Sequence, residues 1–200
     1  SQKKDNFIIT NPTIGKQSFH QSSIMDIYRT KFTKPVVTSR EEKAVALSNM
    51  REVLEDLEIH FWLDAGTLLG AYREKNFIQN DYDIDIAIFD RVILGRVDEL
   101  KNALYEMGFT HWFDVIVDNE LKGFQILHFN GTRIDFNFYF YNGHQHTYKV
   151  FYYDEPVIRT ISGFQPVIFK GEKYDIPDNP EIYLVEEYGA NWKIPIGQQH

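Results

Sequence analysis

Apolar residues recur along this chain in two periods, and the change from one to the other marks its elements. Over 40–57, Ala46, Met50, Val53, Leu54 and Leu57 fall three and four apart, the spacing of one helix face. Ser39 stands just before that run and Glu42 follows three residues on, a capping box that sets the helix start. Leu100, Leu104 and Met107 repeat the helical period over 98–107, and Gly108 suits the residue that ends it. Between these helices the period falls to two. Ile84, Ile86 and Ile88 alternate with Asp83, Asp85 and Ala87, which predicts a strand. A shorter apolar run, Phe61-Trp62-Leu63, precedes a glycine-bounded turn at 66–70 that opens a short helix.

Alternation returns further along. Residues 124–129 and 133–141 read as strands joined at Asn130-Gly131, a dipeptide typical of hairpins. Asn130-Gly131-Thr132 also fits an N-glycosylation acceptor, but the hairpin accounts for it fully. Strands are further expected at 147–153 and 166–169, and a helix over 181–188 that stops at Gly189. Pro12 and Pro35 interrupt the first part of the chain, where 24–32 reads as a short helix or as part of an extended arm. The expected division is an arm over 1–37 and one domain over 38–200.

Composition narrows the picture. Of 200 residues, 43% are hydrophobic and 16% aromatic, enough for a core in one domain with a small extension. There are no cysteines, which excludes disulfides and thiolate metal sites and favours a reducing compartment. A net charge of −8 lacks the basic footprint of a nucleic-acid binder, so no nucleic acid partner is expected. A chain this acidic needs cations to hold phosphates. No apolar run is long enough to span a bilayer, and the N-terminus shows no signal-peptide pattern.

The candidate chemistry sits at the entry of the isoleucine strand. Asp81, Asp83 and Asp85 occupy alternate positions and share one strand face. Carboxylates that close repel and raise one another's pKa. A divalent cation relieves this, and Mg²⁺ bound by one or two carboxylates leaves room for substrate phosphates. A calcium loop does not fit: its sixth and twelfth positions need Gly and Glu, and here they hold Ile86 and Val92. A solvated turn is the plain alternative. The turn Gly66-Thr67-Leu68-Leu69-Gly70 offers backbone N–H groups of the kind that hold phosphate. A phosphate cradle followed by paired aspartates is the layout of metal-assisted phosphoryl or nucleotidyl transfer. Asp135 lies among Ile134, Phe136 and Phe138, where an acid is costly unless paired or metal-bound. It is either a third ligand beside Asp83 and Asp85 or a solvent-facing residue on a sheet edge. His144 and His146 share a glycine-containing loop without a third partner and are read as structural.

Two separated motifs carry a family likeness. The first is the Gly66–Gly70 turn, Arg73, and then Asn80-Asp81-Tyr82-Asp83-Ile84-Asp85. The second is Ile176-Pro177, Leu184, Tyr188-Gly189, Trp192 and Pro195. In both, the chain resembles the LicD/fukutin-related family of the DNA polymerase β-like nucleotidyltransferase superfamily. It departs at Asn80, where that family has Trp, and at Tyr82, where it has Asp; Asp83 and Asp85 are untouched. The resemblance implies an α+β fold with a small mixed, mostly antiparallel β-sheet flanked by helices. It also implies transfer of phosphocholine or a polyol phosphate from a CDP-linked donor to a hydroxyl of a glycan or glycolipid acceptor, releasing CMP. Asp83, Asp85 and Asp135 would hold Mg²⁺ or Mn²⁺, and Asp135 would accept the attacking hydroxyl's proton. Gly66 and Thr67 would hold phosphates, Arg73 would add a charged contact, Asp81 would orient the loop, and Trp192 would line the acceptor site or pack. Two other readings stay open: a glycosyltransferase using a D-x-D motif with UDP- or GDP-sugars, and a catalytically silent glycan-binding or assembly module. The chain is expected to act alone or as one domain of a longer polysaccharide-building protein. The missing cysteines favour a cytoplasmic setting, with the Golgi lumen as the alternative.

Overall fold

The computed structural model of the protein describes residues 36–198. The expected arm therefore lies outside the described residues except for Val36 and Val37, and the 24–32 segment lies wholly outside them. Helix α1 (Arg40–Asp56) starts where the capping box puts it. The Glu42 amide donates to Ser39 Oγ at 3.0 Å, and the Ser39 amide donates to Glu42 Oε2 at 3.4 Å. Strand β1 (Trp62–Leu63) leads into a one-turn helix α2 (Ala65–Leu69), which widens into a π-helical turn over Gly70–Glu74. Then follow β2 (Asp83–Phe89), α3 (Asp90–Ile93) and α4 (Val97–Glu106).

Three long strands come next: β3 (Phe109–Val117), β4 (Glu120–His128) and β5 (Arg133–Tyr141). β3 was not expected from the sequence. Its link to β4 is a two-residue turn in which Asp118 (φ 53°) and Asn119 (φ 61°) are both left-handed, as a type I′ hairpin requires. At the β4–β5 link Gly131 takes positive φ (93°) and Asn130 does not. The Gly131 amide donates to the His128 carbonyl and the His128 amide to the Thr132 carbonyl, so the loop has three residues and a bulge. Asn130 Nδ2 donates to the Glu42 carbonyl (2.9 Å) and Asn130 Oδ1 accepts from the Thr132 amide (3.0 Å), a structural use of both ends.

The chain closes with β6 (Thr147–Val150), β7 (Val157–Thr160), β8 (Phe164–Phe169), β9 (Glu172–Pro177), α5 (Pro180–Tyr188) and a 3₁₀ turn over Ile196–Gln198. β6 is shorter than expected, and β9, which pairs with β8, was not anticipated. Pro180 opens α5 at a first-turn position, where its missing N–H costs nothing.

The main sheet runs β1-β2-β5-β4-β3, with β6 paired to β5 and β7 to β6; β8 and β9 form a separate hairpin. β2 and β5 are parallel and the other pairs antiparallel, so the sheet is mixed and mostly antiparallel, as expected. Ile84, Ile86 and Ile88 lie in register with Ile134, Phe136 and Phe138 and form one apolar face. That face joins Ala46, Leu47, Met50 and Leu54 of α1 and Leu100 and Leu104 of α4 in a single core. Period-two alternation then commits the other face of β2 and β5 to polar residues.

Candidate active site

The register between β2 and β5 builds the site. Asp83 stands beside Arg133, Asp85 beside Asp135, and Ala87 beside Asn137. Neighbours in a parallel pair point to the same side, so one sheet face carries Asp83, Asp85, Arg133, Asp135 and Asn137. This face floors a cleft of about 1150 Å³, whose walls include Gly66, Arg73, Asp81, Tyr188 and Trp192. Of the eight residues the sequence assigns to the site, Thr67 alone does not line it.

Each carboxylate has its own surroundings. Burial raises Asp85 well above the usual carboxylate range, and Asp83, Asp135 and Asp64 nearby push it further. Its carboxylate accepts from Asn137 Nδ2 at 3.1 Å. Asp135 is pushed up to about 7, first by burial and then by Asp83, against the opposing pull of Arg133. Asp81 rises to about 6 by burial and by Asp83, with Lys43 opposing. Lys43, buried under the loop, donates Nζ to the Asp81 carbonyl. Arg133 bridges two of the carboxylates: Nη2 donates to Asp83 Oδ2 at 2.7 Å, and Nε donates to Asp135 Oδ1 at 2.9 Å. Gln125 Nε2 adds a third contact to Asp135, at 3.1 Å.

The walls follow from local sequence. Thr67 is buried in α2, and its hydroxyl accepts the Asp85 amide at 2.9 Å, fixing the strand entry from behind. Gly66 meets the cleft directly; a Cβ there would stand 2.9 Å from Asp81 Oδ2. Arg73 Nη1 donates to the Trp192 carbonyl at 2.8 Å and Nη2 to Glu74 Oε1 at 2.6 Å, while its buried Nε has no partner. Helix α5 ends at Tyr188 because Gly189 turns to φ 82°, and the chain then returns along the cleft. Trp192 is almost wholly buried, its ring 5.9 Å from that of Tyr72. His144 and His146 are exposed in the β5–β6 loop, outside the cleft.

A second network was missed by the sequence reading. Asp64 is fully buried at the start of α2. It accepts from Tyr139 Oη (2.6 Å), Tyr152 Oη (3.0 Å), Tyr183 Oη and Asn137 Nδ2 (3.0 Å). Burial holds all three phenols well above their usual pKa, and the Asp64 charge adds to it. They stay protonated and donate. Asn137 thus ties Asp64 to Asp85 through one amide nitrogen.

The donor set suits a hard divalent cation: oxygen ligands only, with Asp81, Asp83, Asp85 and Asp135 outnumbering the cations around them. Among the described residues no three of these side chains are gathered around one point, and Arg133 bridges Asp83 and Asp135.

Fold and family agree. The crystal structure of ANT(2″)-Ia in complex with adenylyl-2″-tobramycin superposes with a TM-score of 0.51 at 12% identity, over 80% of this chain and 82% of that one. The two chains share a fold. The LicD/FKTN/FKRP nucleotidyltransferase domain profile matches residues 58–179, and the chain belongs to that family. Ribitol-5-phosphate transferase FKTN of Mus musculus is 30% identical over 175 residues, 82% of this chain and 36% of that protein. The Homo sapiens FKTN is 29% identical over the same shares. Ribitol 5-phosphate transferase FKRP of Mus musculus is 39% identical over 51 residues, 26% of this chain and 10% of that protein. The chain spans about a third of the length of the FKTN proteins it matches. Among the described residues no helix is long and apolar enough to cross a membrane.

Proposed function

We propose that this domain transfers a substituted phosphate from a CDP-linked donor to a hydroxyl of a glycan or glycolipid acceptor, in a metal-dependent reaction that releases CMP. The observation that carries this reading is the parallel β2–β5 register, which sets Asp83, Asp85 and Asp135 side by side on the floor of the cleft. Ribitol-5-phosphate transferases among the relatives favour a polyol phosphate over phosphocholine.

Asp83, Asp85 and Asp135 would hold Mg²⁺ or Mn²⁺, which when bound neutralises charge on the donor diphosphate and on the phosphoryl group in flight. The chain's own residues supply position and proton transfer. The acceptor oxygen forms a bond to the phosphorus, the bond to the CMP oxygen breaks, and CMP leaves with the electron pair. Asp135 takes the proton of the attacking hydroxyl on its carboxylate. Thr67 holds the Asp85 backbone and Asn137 its carboxylate, so one ligand is fixed from both ends. Gly66 and Arg73 face the phosphates, Asp81 orients the loop, and Tyr188 and Trp192 shape the acceptor side.

The test is thermal stability with CDP, CDP-ribitol, CDP-glycerol, CDP-choline, UDP and GDP, each with Mg²⁺ and with chelator. A Mg²⁺-dependent rise with a CDP-linked compound is expected, about 2.7 kcal/mol when ligand is at a hundred times its Kd. A rise with UDP or GDP alone, or with nothing, overturns the reading. Gly66→Ala supplies a sharper check. Its new methyl displaces the end of the Asp81 side chain rather than backbone, so the midpoint should hold while turnover falls by about 10²-fold, the cost of a misplacement near 1 Å.

A further inference from the structure

Arg133 is the cation that sits among the carboxylates on the cleft floor. It donates to Asp83 and twice to Asp135, through Nε at 2.9 Å and Nη2 at 3.2 Å. Those oxygens belong to two of the three residues that would bind a divalent ion. Each carboxylate has lone pairs to spare, but a guanidinium and a divalent cation held at the same oxygens repel each other, so the two cations compete for this space. Asp85 differs: its carboxylate is held by the neutral amide of Asn137.

Arg133 is also placed to move. Its side chain is 27% exposed, against 17% for Asp83 and 14% for Asp135. It lies at the first position of β5, at the cleft surface, with the Tyr82 ring 5.4 Å from its guanidinium. A guanidinium fork matches two phosphate oxygens as well as it matches a carboxylate.

We infer that Arg133 is an exchangeable counter-ion: it neutralises Asp83 and Asp135 until a divalent cation displaces it, and then turns to bind oxygens of the donor's diphosphate. The inference rests on the reading above that the cleft takes a divalent cation and a phosphate donor. It implies opposite effects on two ligands. Arg133 weakens metal binding in the absence of nucleotide and strengthens nucleotide binding once metal is present. Metal and donor therefore favour each other's binding, by the same factor in both directions.

The experiment uses Arg133→Met, which keeps length and removes the charge. Mn²⁺ affinity is read from the EPR signal of free Mn²⁺ without nucleotide, and CDP affinity by calorimetry at saturating Mn²⁺. Relative to the unmodified chain, Mn²⁺ should bind about tenfold tighter and CDP about tenfold weaker, the scale of one charged hydrogen-bonded pair. Should Arg133→Met fail to fold, Arg133→Gln reads the same two quantities with the same signs. Tighter Mn²⁺ with weaker CDP supports the exchange, including the case where only the variant binds Mn²⁺ measurably. Mn²⁺ binding that is equal or weaker in the variant, or CDP binding left unchanged, overturns the exchange while leaving the metal site standing. No Mn²⁺ binding by either protein overturns both.

Discussion

Asp83→Asn is expected to lower turnover by at least about 10³-fold, on the scale of losing a group that acts on transition-state charge. The substitution keeps size and shape. It removes one negative charge and puts an amide where the proposed metal site needs a ligand oxygen. Asp83 lies at the entry of β2, outside the apolar core, so circular dichroism should match the parent. The loss of its contact with Arg133 should lower the thermal midpoint only slightly, because Arg133 keeps its two hydrogen bonds to Asp135. Asp85→Asn should abolish turnover equally but with the opposite effect on stability. Asp85 is buried and crowded by Asp83, Asp135 and Asp64, and burial first and then those charges raise its carboxylate. A neutral amide relieves that repulsion, and its oxygen can still accept from Asn137. In chelator the Asp85→Asn midpoint should therefore rise by a few degrees, a site optimised for charge density rather than stability. The assays are turnover of CDP-ribitol with Mg²⁺ and melting curves with and without chelator. Near-normal turnover in either variant would remove these residues from the reaction.

The largest stability effect should come from a residue outside the cleft lining. Asp64→Ala is expected to cost about 3–5 kcal/mol, because it strips the shared acceptor from a buried, hydrogen-bonded network. Tyr139, Tyr152, Tyr183 and Asn137 all donate to Asp64. The phenols can partly recover by pairing with one another. Tyr139 and Tyr152 are already 3.2 Å apart, and Tyr152 and Tyr183 also 3.2 Å. Asp64→Asn, which keeps one acceptor oxygen, should accordingly cost less, about 1–3 kcal/mol. Denaturant unfolding with an unchanged slope measures both. A loss below about 1 kcal/mol for Asp64→Ala would contradict the role given to the network.

Much of the fold can be read locally, and the places where reading fails share a cause. The Ser39–Glu42 cap, the β2 alternation and the Asn130-Gly131 hairpin each rest on contacts within a few residues. So does the polar face of β5, since Ile134, Phe136 and Phe138 leave Asp135 and Asn137 on the other side. Strand β3 escaped notice although Asp118-Asn119 closes its turn; those two residues reach left-handed conformations more readily than most, but they are a weaker marker than Asn-Gly. Asp64 carries no local signal, because its partners Tyr139, Tyr152 and Tyr183 lie 75, 88 and 119 positions away. Arg133 was passed over for the same reason: pairing with Asp83 depends on a crossover of 50 positions. Thr67 belongs to the turn that the motif marks, yet only the structure shows its hydroxyl facing β2 rather than the cleft. Sequence motifs locate the cleft, and long-range pairing decides which side chains enter it.

The bridge made by Arg133 bears on how the chain folds. β3, β4 and β5 are joined by short hairpins, which form on a scale of about 1–10 µs. Joining β5 to β2 in parallel closes a much longer loop and is intrinsically slower. That late step presses Asp135 against Asp83 and Asp85, an encounter of like charges before any ion is present. Because Arg133 stands two residues before Asp135, β5 brings its own neutralising charge to the meeting. The same guanidinium that bridges Asp83 and Asp135 in the finished site acts as an escort for the strand pairing that creates it.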